Sequence, residues 1–367
     1  MKFLIVDSYY SIFLDEFYRQ HPNLLDECYD HQHCALMDQC FGSADFYSLN
    51  LQKLGFEAKD IAMNCKPMQL QWAKENGVKT SWNFERRKIG PFPIPWLRRE
   101  WLYPILLEQV KSYRLDVIHF QNPELIRPVF LMDIRPFVRL ITAQIASPYA
   151  NIADFSNYDL MLSSFPHYVQ RFKDAGLRSA YFRLGFEPKV LQRLRRVERY
   201  GAVFVGGMSR AHQERIRFFE SLAQKVRFDW WGYGADELSP DSPLKKIHRG
   251  QAWALDMYEI LADAKIVINH HIDSAENYAN NMRLYEATGV GAMLLTDWKE
   301  NIADHFEPGK EVVVYRDVNE CAEKIEYYMK REEERKEIAA AGQARTLREH
   351  TYYQRMEEYV RLVKQYV

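Results

Sequence analysis

Side chains able to bind an anion and a sugar crowd residues 266–297 (IVINHHIDSAENYANNMRLYEATGVGAMLLTD). An apolar strand ends at Asn269, and a polar loop runs to Asn280 or Asn281, either of which suits a helix N-cap. Met282 to Thr288 reads as a short helix, Gly289 as its C-cap, and 290–295 as the next strand. Arg283 and Glu286 stand one turn apart near the helix N-terminus. There an arginine meets a phosphate well, and a carboxylate can accept two hydrogen bonds from vicinal ribose hydroxyls. An ordinary i,i+3 surface pair is the alternative. The loop adds His270, His271, Asp273, Glu276, Asn277, Asn280 and Asn281.

Two earlier segments point the same way. In 203–217 (VFVGGMSRAHQERIR), Gly206 and Gly207 follow a strand and lead into a helix carrying Arg210, Arg215 and Arg217. Glycines let backbone N–H groups approach an anion, and arginine adds bidentate contacts; a plain tight turn with solvated arginines is the alternative. In 229–234 (DWWGYG), Trp230 and Trp231 beside Gly232 and Gly234 could set a ring or backbone against a nucleobase, or form a core Trp and a glycine turn. Thr296 and Asp297 end a further strand and could close the same pocket, with Asp297 as an N-cap the alternative.

These segments need strands to end beside them. Short apolar runs recur at 2–6, 115–120, 138–143 and 159–163, separated by stretches with helical spacing such as Leu106, Leu107, Val110 and Tyr113. The rhythm pauses in a basic stretch at 186–200 and restarts at 202–206, 227–231, 265–269, 290–295 and 312–315. Strands alternating with helices imply parallel sheets covered on both faces, and ligands then bind beyond the strands' carboxyl ends. From 321 the chain reads as helical, with Glu332 and Lys336 paired at i,i+4 and a stop at Gly342. Tyr353, Met356, Tyr359, Val360 and Val363 then form an apolar stripe that needs a surface to cover.

The chain has 367 residues, 47% apolar and 14% aromatic, so a large core is available and disorder is excluded. With 49 basic and 50 acidic side chains the formal charge is -1, which argues against a nucleic-acid partner. Five cysteines with no CxxC pair suit a reduced, cytoplasmic chain. No apolar run is long enough to span a bilayer, so membrane association is expected to be peripheral at most.

Asn269-His-His-Ile, residues 279–289 (ANNMRLYEATG) and Leu295-Thr-Asp resemble the C-terminal domain of GT-B glycosyltransferases, nearest the spore-maturation (CgeB-like) branch related to family 4. Segments 37–58, 204–209 (FVGGMS), 231–234 (WGYG) and 341–356 extend the resemblance over most of the chain. It implies two Rossmann-like, doubly wound domains facing a central cleft: an acceptor-side domain over 1–186, a nucleotide-sugar-binding domain over 187–350, and a terminal helix, 351–367, crossing back onto the first. It implies transfer of a sugar from a UDP- or GDP-sugar to a glycan, lipid-linked or protein acceptor, with retention of configuration and no metal or other cofactor. A relative that binds nucleotide or glycan only as a scaffold is the alternative. Of the family's Glu-x7-Glu motif, the second Glu falls on Glu286, which would hold the ribose. The first falls on Tyr278, so Glu276 or Asn280 would substitute. Arg210 and Arg215 would grip the diphosphate, and Gln144 stands where a catalytic His is expected. The donor set implied is Gly206, Gly207, Arg210, Arg215, Trp231, Gly232, Tyr233, Asn269, His271, Asn281, Arg283 and Glu286.

Other clusters read as background. Cys28, His31, His33, Cys34 and Cys40 fit no standard zinc spacing. His270 and His271 are adjacent on a strand end and point apart. Residues 85–107 mix basic and aromatic side chains and could touch a membrane surface; a proline-rich loop leading into a helix is the preferred reading.

Overall fold

The computed structural model describes residues 1–79, 81–89, 92–209 and 212–367. In chain order the first half contains β1 (Lys2–Asp7), α1 (Ser11–Gln20), α2 (Tyr29–Met37), α3 (Phe46–Lys53), β2 (Glu57–Ala62), α4 (Lys66–Glu75), β3 (Ser81–Ile89), β4 (Phe92–Glu100), α5 (Leu102–Tyr113), β5 (Leu115–Phe120), α6 (Pro128–Ile134), β6 (Val138–Gln144), β7 (Leu160–Ser163), α7 (Pro166–Asp174) and β8 (Ser179–Tyr181). The second half contains β9 (Tyr200–Val205), α8 (Gln213–Ala223), β10 (Asp229–Trp231), α9 (Leu244–Ile247), α10 (Ala254–Ala262), β11 (Ala264–Asn269), α11 (Met282–Gly289), β12 (Met293–Asp297), β13 (Val313–Tyr315), α12 (Val318–Lys330), α13 (Glu332–Glu349) and α14 (Tyr352–Val363).

Two parallel sheets result, ordered β2-β1-β5-β6-β7-β8 and β10-β9-β11-β12-β13. Their central strands read as unbroken apolar runs because helices cover both faces, as in Phe3–Val6 and Ile266–Ile268, all buried. The sheets meet through the loops at their carboxyl ends. Tyr10, after β1, packs on Trp253 and Tyr233, while His167, after β7, stacks on Tyr278.

The two chain crossings between the sheets lie side by side. The Phe186 N–H donates to the His350 carbonyl at 2.8 Å, and the Tyr352 N–H to the Phe186 carbonyl at 3.0 Å. Thr351 and Gln354 form a capping box that starts α14, which lies against α3 of the first sheet. Met356, Tyr359, Val360 and Val363 are buried there, and Tyr359 shares a hydrogen bond with Thr142 at 2.7 Å. Burying such a side chain contributes roughly 1.5–3 kcal/mol, so four of them fasten the helix firmly. Tyr353 is 39% exposed and leaves the stripe; Tyr352 takes its place, 2% exposed.

Three local expectations are corrected. Gly289 is still inside α11, packed so closely on Phe186 that a Cβ would come within 2.4 Å of its ring. The left-handed turn falls on Gly291, at φ +83, so the next strand starts at Met293 rather than 290. Gly342 does not stop a helix but lies within α13, where a Cβ would meet the Glu311 carbonyl at 2.3 Å. A close approach and a helix stop both select glycine, which is why sequence confuses them. The stretch read as a proline-rich loop is the antiparallel hairpin β3–β4. The side chains of 85–99, on which the membrane-surface reading rests, lie outside the described residues. Among the described residues no helix is long and apolar enough to cross a membrane.

Candidate functional site

The carboxyl ends of β9 and β11 converge on one guanidinium. Arg215, in the first turn of α8, is buried; it donates from Nη1 to the Gly207 carbonyl at 3.2 Å and from Nη2 to the His270 carbonyl at 3.0 Å. The ring of Phe204 supports its flat face at 5.8 Å. No carboxylate pairs with it among the described residues, and Nε has no partner there. Burial pulls its pKa below the ordinary guanidinium value. Removing a cation from water without a counter-charge is costly, so an incoming anion is strongly favoured at this point. Arg210 lies outside the described residues.

The glycines beside it are explained by packing. The Gly206 N–H donates to the Trp231 carbonyl at 2.9 Å and the Met208 N–H to the Tyr233 carbonyl at 2.9 Å. The Trp230 indole donates back to Gly206 at 2.9 Å. A Cβ on Gly207 would come within 2.2 Å of the Tyr233 ring, and one on Gly232 within 2.0 Å of the Gly206 carbonyl. The two loops interlock, so the Gly206 amide is engaged by its neighbour, contrary to the expectation that it reaches an anion. Trp231 is buried, edge-on to Tyr200. Tyr233 reaches the interdomain surface and stacks on Trp253 with planes 8° apart.

Asn281 is the N-cap of α11, its side chain accepting from the Leu284 N–H, while its amide donates to Asn269 at 2.8 Å. Asn269 in turn donates to Thr296 at 3.0 Å, tying the ends of β11 and β12 to the helix start. Arg283 and Glu286 pair at 2.7 Å with side chains 14% and 6% exposed. Arg283 also donates to the Val205 carbonyl at 3.1 Å, which fixes the pair at the carboxyl end of β9. The spacing is the i,i+3 pair of the alternative reading, yet it is buried at the strand ends rather than on a surface. Burial raises the Glu286 carboxyl, against the opposing effects of Arg283 and the Tyr258 hydroxyl.

His271 and His270 point apart. His270 stacks on Phe218 at 4.4 Å, whereas His271 Nδ1 bonds Asp297 at 2.6 Å. Burial alone would raise the Asp297 carboxyl, but His271, His270 and Lys299 hold it well below the usual range. His271 Nε2 is buried with no partner among the described residues. Asp297, by sequence equally an N-cap, joins the cluster through its bond to His271.

The three residues expected near the reacting sugar are held by the first domain. Glu276 accepts from Arg171 at 2.5 Å in a half-exposed pair. Asn280 is buried, exchanges two 3.4 Å contacts with Ser164, and keeps Oδ1 without a partner among the described residues. Gln144 accepts from the Tyr47 hydroxyl at 2.7 Å. Tyr278 gives its ring to His167 at 5.4 Å. Among the described residues no three His, Cys, Asp or Glu side chains gather as a metal site; in the cysteine region His31 pairs with Glu27 and His33 bonds the Asp60 carbonyl. Asp7, Asn122 and Ser43, which cluster at the first sheet's carboxyl edge, escaped sequence reading. The one signal was a carboxylate closing the first apolar strand.

Comparison with known proteins agrees with this layout. Residues 212–361 match a family model described as glycosyl transferase-like. No curated protein sequence matches the chain. Among solved structures, the chain is similar to Anabaena HepE in complex with UDP-glucose, with TM-score 0.60 and 11% identity over 100% of both chains. It is similar to sucrose-phosphate synthase of Thermosynechococcus elongatus, with TM-score 0.58 and 12% identity over 100% of this chain and 99% of the other. A glycosyltransferase of Rickettsia africae gives TM-score 0.57 at 11% identity over 99% and 98%. Its two parallel α/β domains give the chain the GT-B glycosyltransferase fold, and its second domain matches the glycosyl transferase-like family.

Proposed function

We propose that the protein transfers a sugar from a nucleoside diphosphate sugar, with UDP the favoured carrier, to a hydroxyl of a glycan, lipid-linked or protein acceptor. The observation that carries this reading is Arg215, a buried cation without a carboxylate partner among the described residues, set at the strand ends where α/β folds bind ligands. HepE, similar in fold, has been captured with UDP-glucose, which supports the choice of base. In this reading 1–186 is the acceptor side, 187–350 the donor side, and the chain groups with the CgeB-like branch related to family 4.

Arg215 and His271 hold the diphosphate, Arg283 positions Glu286 for the ribose, and Asn280 contacts the transferred sugar. Glu276 and Gln144 are engaged by Arg171 and Tyr47, which leaves that last role to Asn280. As the bond from sugar to phosphate breaks, negative charge collects on the diphosphate. A preorganised guanidinium stabilises that charge more than it stabilises the ground state, and this supplies what a metal would otherwise provide. The stereochemical outcome follows from what takes the acceptor's proton. The departing phosphate gives retention, and a carboxylate on the acceptor side gives inversion.

Calorimetry with UDP, GDP, ADP and TDP tests the reading: saturable binding of one of them is expected, and binding of none overturns it. The engagement of Glu276 and Gln144 favours a second reading, a scaffold that binds nucleotide without turnover. Nucleotide release from the matching nucleotide sugar excludes it.

A further inference from the structure

The turn that follows β12 runs beside the loop between β11 and α11 and holds it almost residue by residue. The Lys299 ammonium donates to the Glu276 carbonyl at 2.6 Å, and the Glu300 N–H donates to the Asn277 carbonyl at 2.9 Å. Asn301 takes both backbone groups of Ala279: Oδ1 accepts from the Ala279 N–H at 2.6 Å, and Nδ2 donates to the Ala279 carbonyl at 3.0 Å. The held loop is strained. Glu276 has φ +49, a left-handed conformation that a residue with a Cβ rarely adopts and that persists only where its surroundings impose it. The grip ends next to Asn280, which is 1% exposed and keeps Oδ1 without a partner among the described residues.

The orientation of the Asn301 amide is itself fixed. The Ala279 N–H can only donate, so the atom facing it is the amide oxygen, and the nitrogen lies toward the carbonyl. That nitrogen carries two hydrogens. One goes to Ala279, and the other faces His305 Nε2 at 3.2 Å. Nε2 is therefore an acceptor, and the imidazole is neutral with its proton on Nδ1, 3.0 Å from the Tyr285 hydroxyl. Burial pushes the His305 pKa down to about 3, in keeping with that form. The His305 carbonyl in turn accepts from His350 Nε2 at 2.8 Å, and His350 belongs to the paired chain crossings between the two domains. The clamp thus runs from the domain crossing to the residue beside Asn280.

We propose that Asn301 is a positioning residue for sugar transfer: by holding both backbone groups of Ala279 it aims Asn280 at the transferred sugar, while His305 sets the orientation of its amide. The inference rests on the nucleotide-sugar reading, in which Asn280 contacts that sugar, and adds the element that keeps the contact in place. A polar contact made in the transition state depends on placement, and a displacement of about 1 Å can cost roughly 100-fold in rate. Arg215 and Glu286, which hold the nucleotide, stand on α8 and α11, outside the clamped segment. The clamp therefore acts on turnover and on the choice of sugar, and leaves nucleotide affinity alone.

The full-length protein, Asn301→Ala, Asn301→Asp, Asn280→Ala and a variant carrying both alanines test this. Calorimetry uses the nucleoside diphosphate that binds wild type. Turnover is nucleotide release, with water as acceptor, from the glucose, galactose and N-acetylglucosamine conjugates of that nucleotide. Circular dichroism checks the fold. Asn301→Ala is expected to bind the nucleoside diphosphate within about twofold of wild type, to lose roughly 10- to 100-fold in kcat, and to lose most of the preference among the three sugars. Because Asn301 acts through Asn280, the variant with both alanines should be no slower than Asn280→Ala alone. Asn301→Asp keeps the acceptor for the Ala279 N–H and loses the donor to its carbonyl. It is expected to fold as wild type and still lose about tenfold in kcat, so the test stands even if the alanine variant does not fold. Losses that multiply when both alanines are present, an unchanged kcat, or nucleotide affinity that falls as far as turnover would overturn the role of Asn301. So would a wild type that binds nucleotide but never releases it from a sugar. A wild type that binds no nucleoside diphosphate would instead overturn the reading beneath it.

Discussion

The carboxyl edges of the two sheets occupy equivalent positions in equivalent folds, yet their chemistry is opposite. On the second sheet, Arg215, His271, Lys299 and the Arg283–Glu286 pair surround the strand ends, and the one carboxylate bonded to His271, Asp297, is held firmly ionised. On the first sheet, Asp7 is held by an amide, a backbone N–H and a hydroxyl, and its proton is bound more tightly than in an ordinary carboxylate. A cationic edge stabilises a departing anion, whereas a carboxylate of raised pKa keeps its proton to a higher pH.

The comparison is broken most directly at Arg215. Arg215→Ala should weaken nucleoside diphosphate binding roughly 10- to 150-fold by calorimetry, the scale of one or two charge-assisted hydrogen bonds. Arg215→Lys should recover only part of it, because an ammonium lacks the fork that spans the Gly207 and His270 carbonyls. Unchanged affinity in both variants would leave the second edge without its defining role.

Glu286→Ala should act on stability as well as binding. It strands Arg283 in a buried position, and breaking such a pair typically costs about 3–5 kcal/mol, read as a fall in chemical-denaturation midpoint. Glu286→Gln should retain most of the stability and still lose nucleotide affinity.

The first edge is sharpened by pH. The Asp7 pKa is raised from 3.8 to about 6, so the folded state binds the proton more tightly than the unfolded chain. The stability this provides is full below pH 4 and is lost as pH rises through 6, by at most about 3 kcal/mol and less for a half-buried group. Asp7→Asn escapes that loss. It should therefore be more stable than wild type at pH 8 and gain nothing at pH 4, as thermal melts at the two values would show.

The smallest effect is expected where the edges touch. The Arg171–Glu276 pair is about half exposed, and such pairs contribute at most about 1 kcal/mol. Arg171→Ala should lower the melting temperature only slightly and leave nucleotide affinity within about twofold, since the proposed donor site does not use Glu276 to hold the diphosphate. A larger loss of affinity would show that the contact sets the closure of the two domains.

Much of this molecule was legible as pattern. Unbroken apolar runs ending at Asn269 and Thr296, an N-cap at Asn281 and the Arg283–Glu286 spacing are local features, and local features survive reading one residue at a time. The strand–helix alternation pointed to two parallel sheets and the terminal apolar stripe to a helix in need of a surface, whereas its return to the first sheet was implied only by the family resemblance. Tertiary structure alone decided what each polar group spends its hydrogen bonds on. Gly206 looks the same whether its amide serves a phosphate or the Trp231 loop, and only packing shows the loop. Gln144 and Glu276 sit where chemistry was expected, yet Tyr47 and Arg171 claim them. Asp7 looked like the end of a strand, because the Asn122 and Ser43 that orient it lie far away in sequence. A side chain's type fixes which bonds it can make. Its partners, brought close only by folding, fix which of them it has left to offer a substrate.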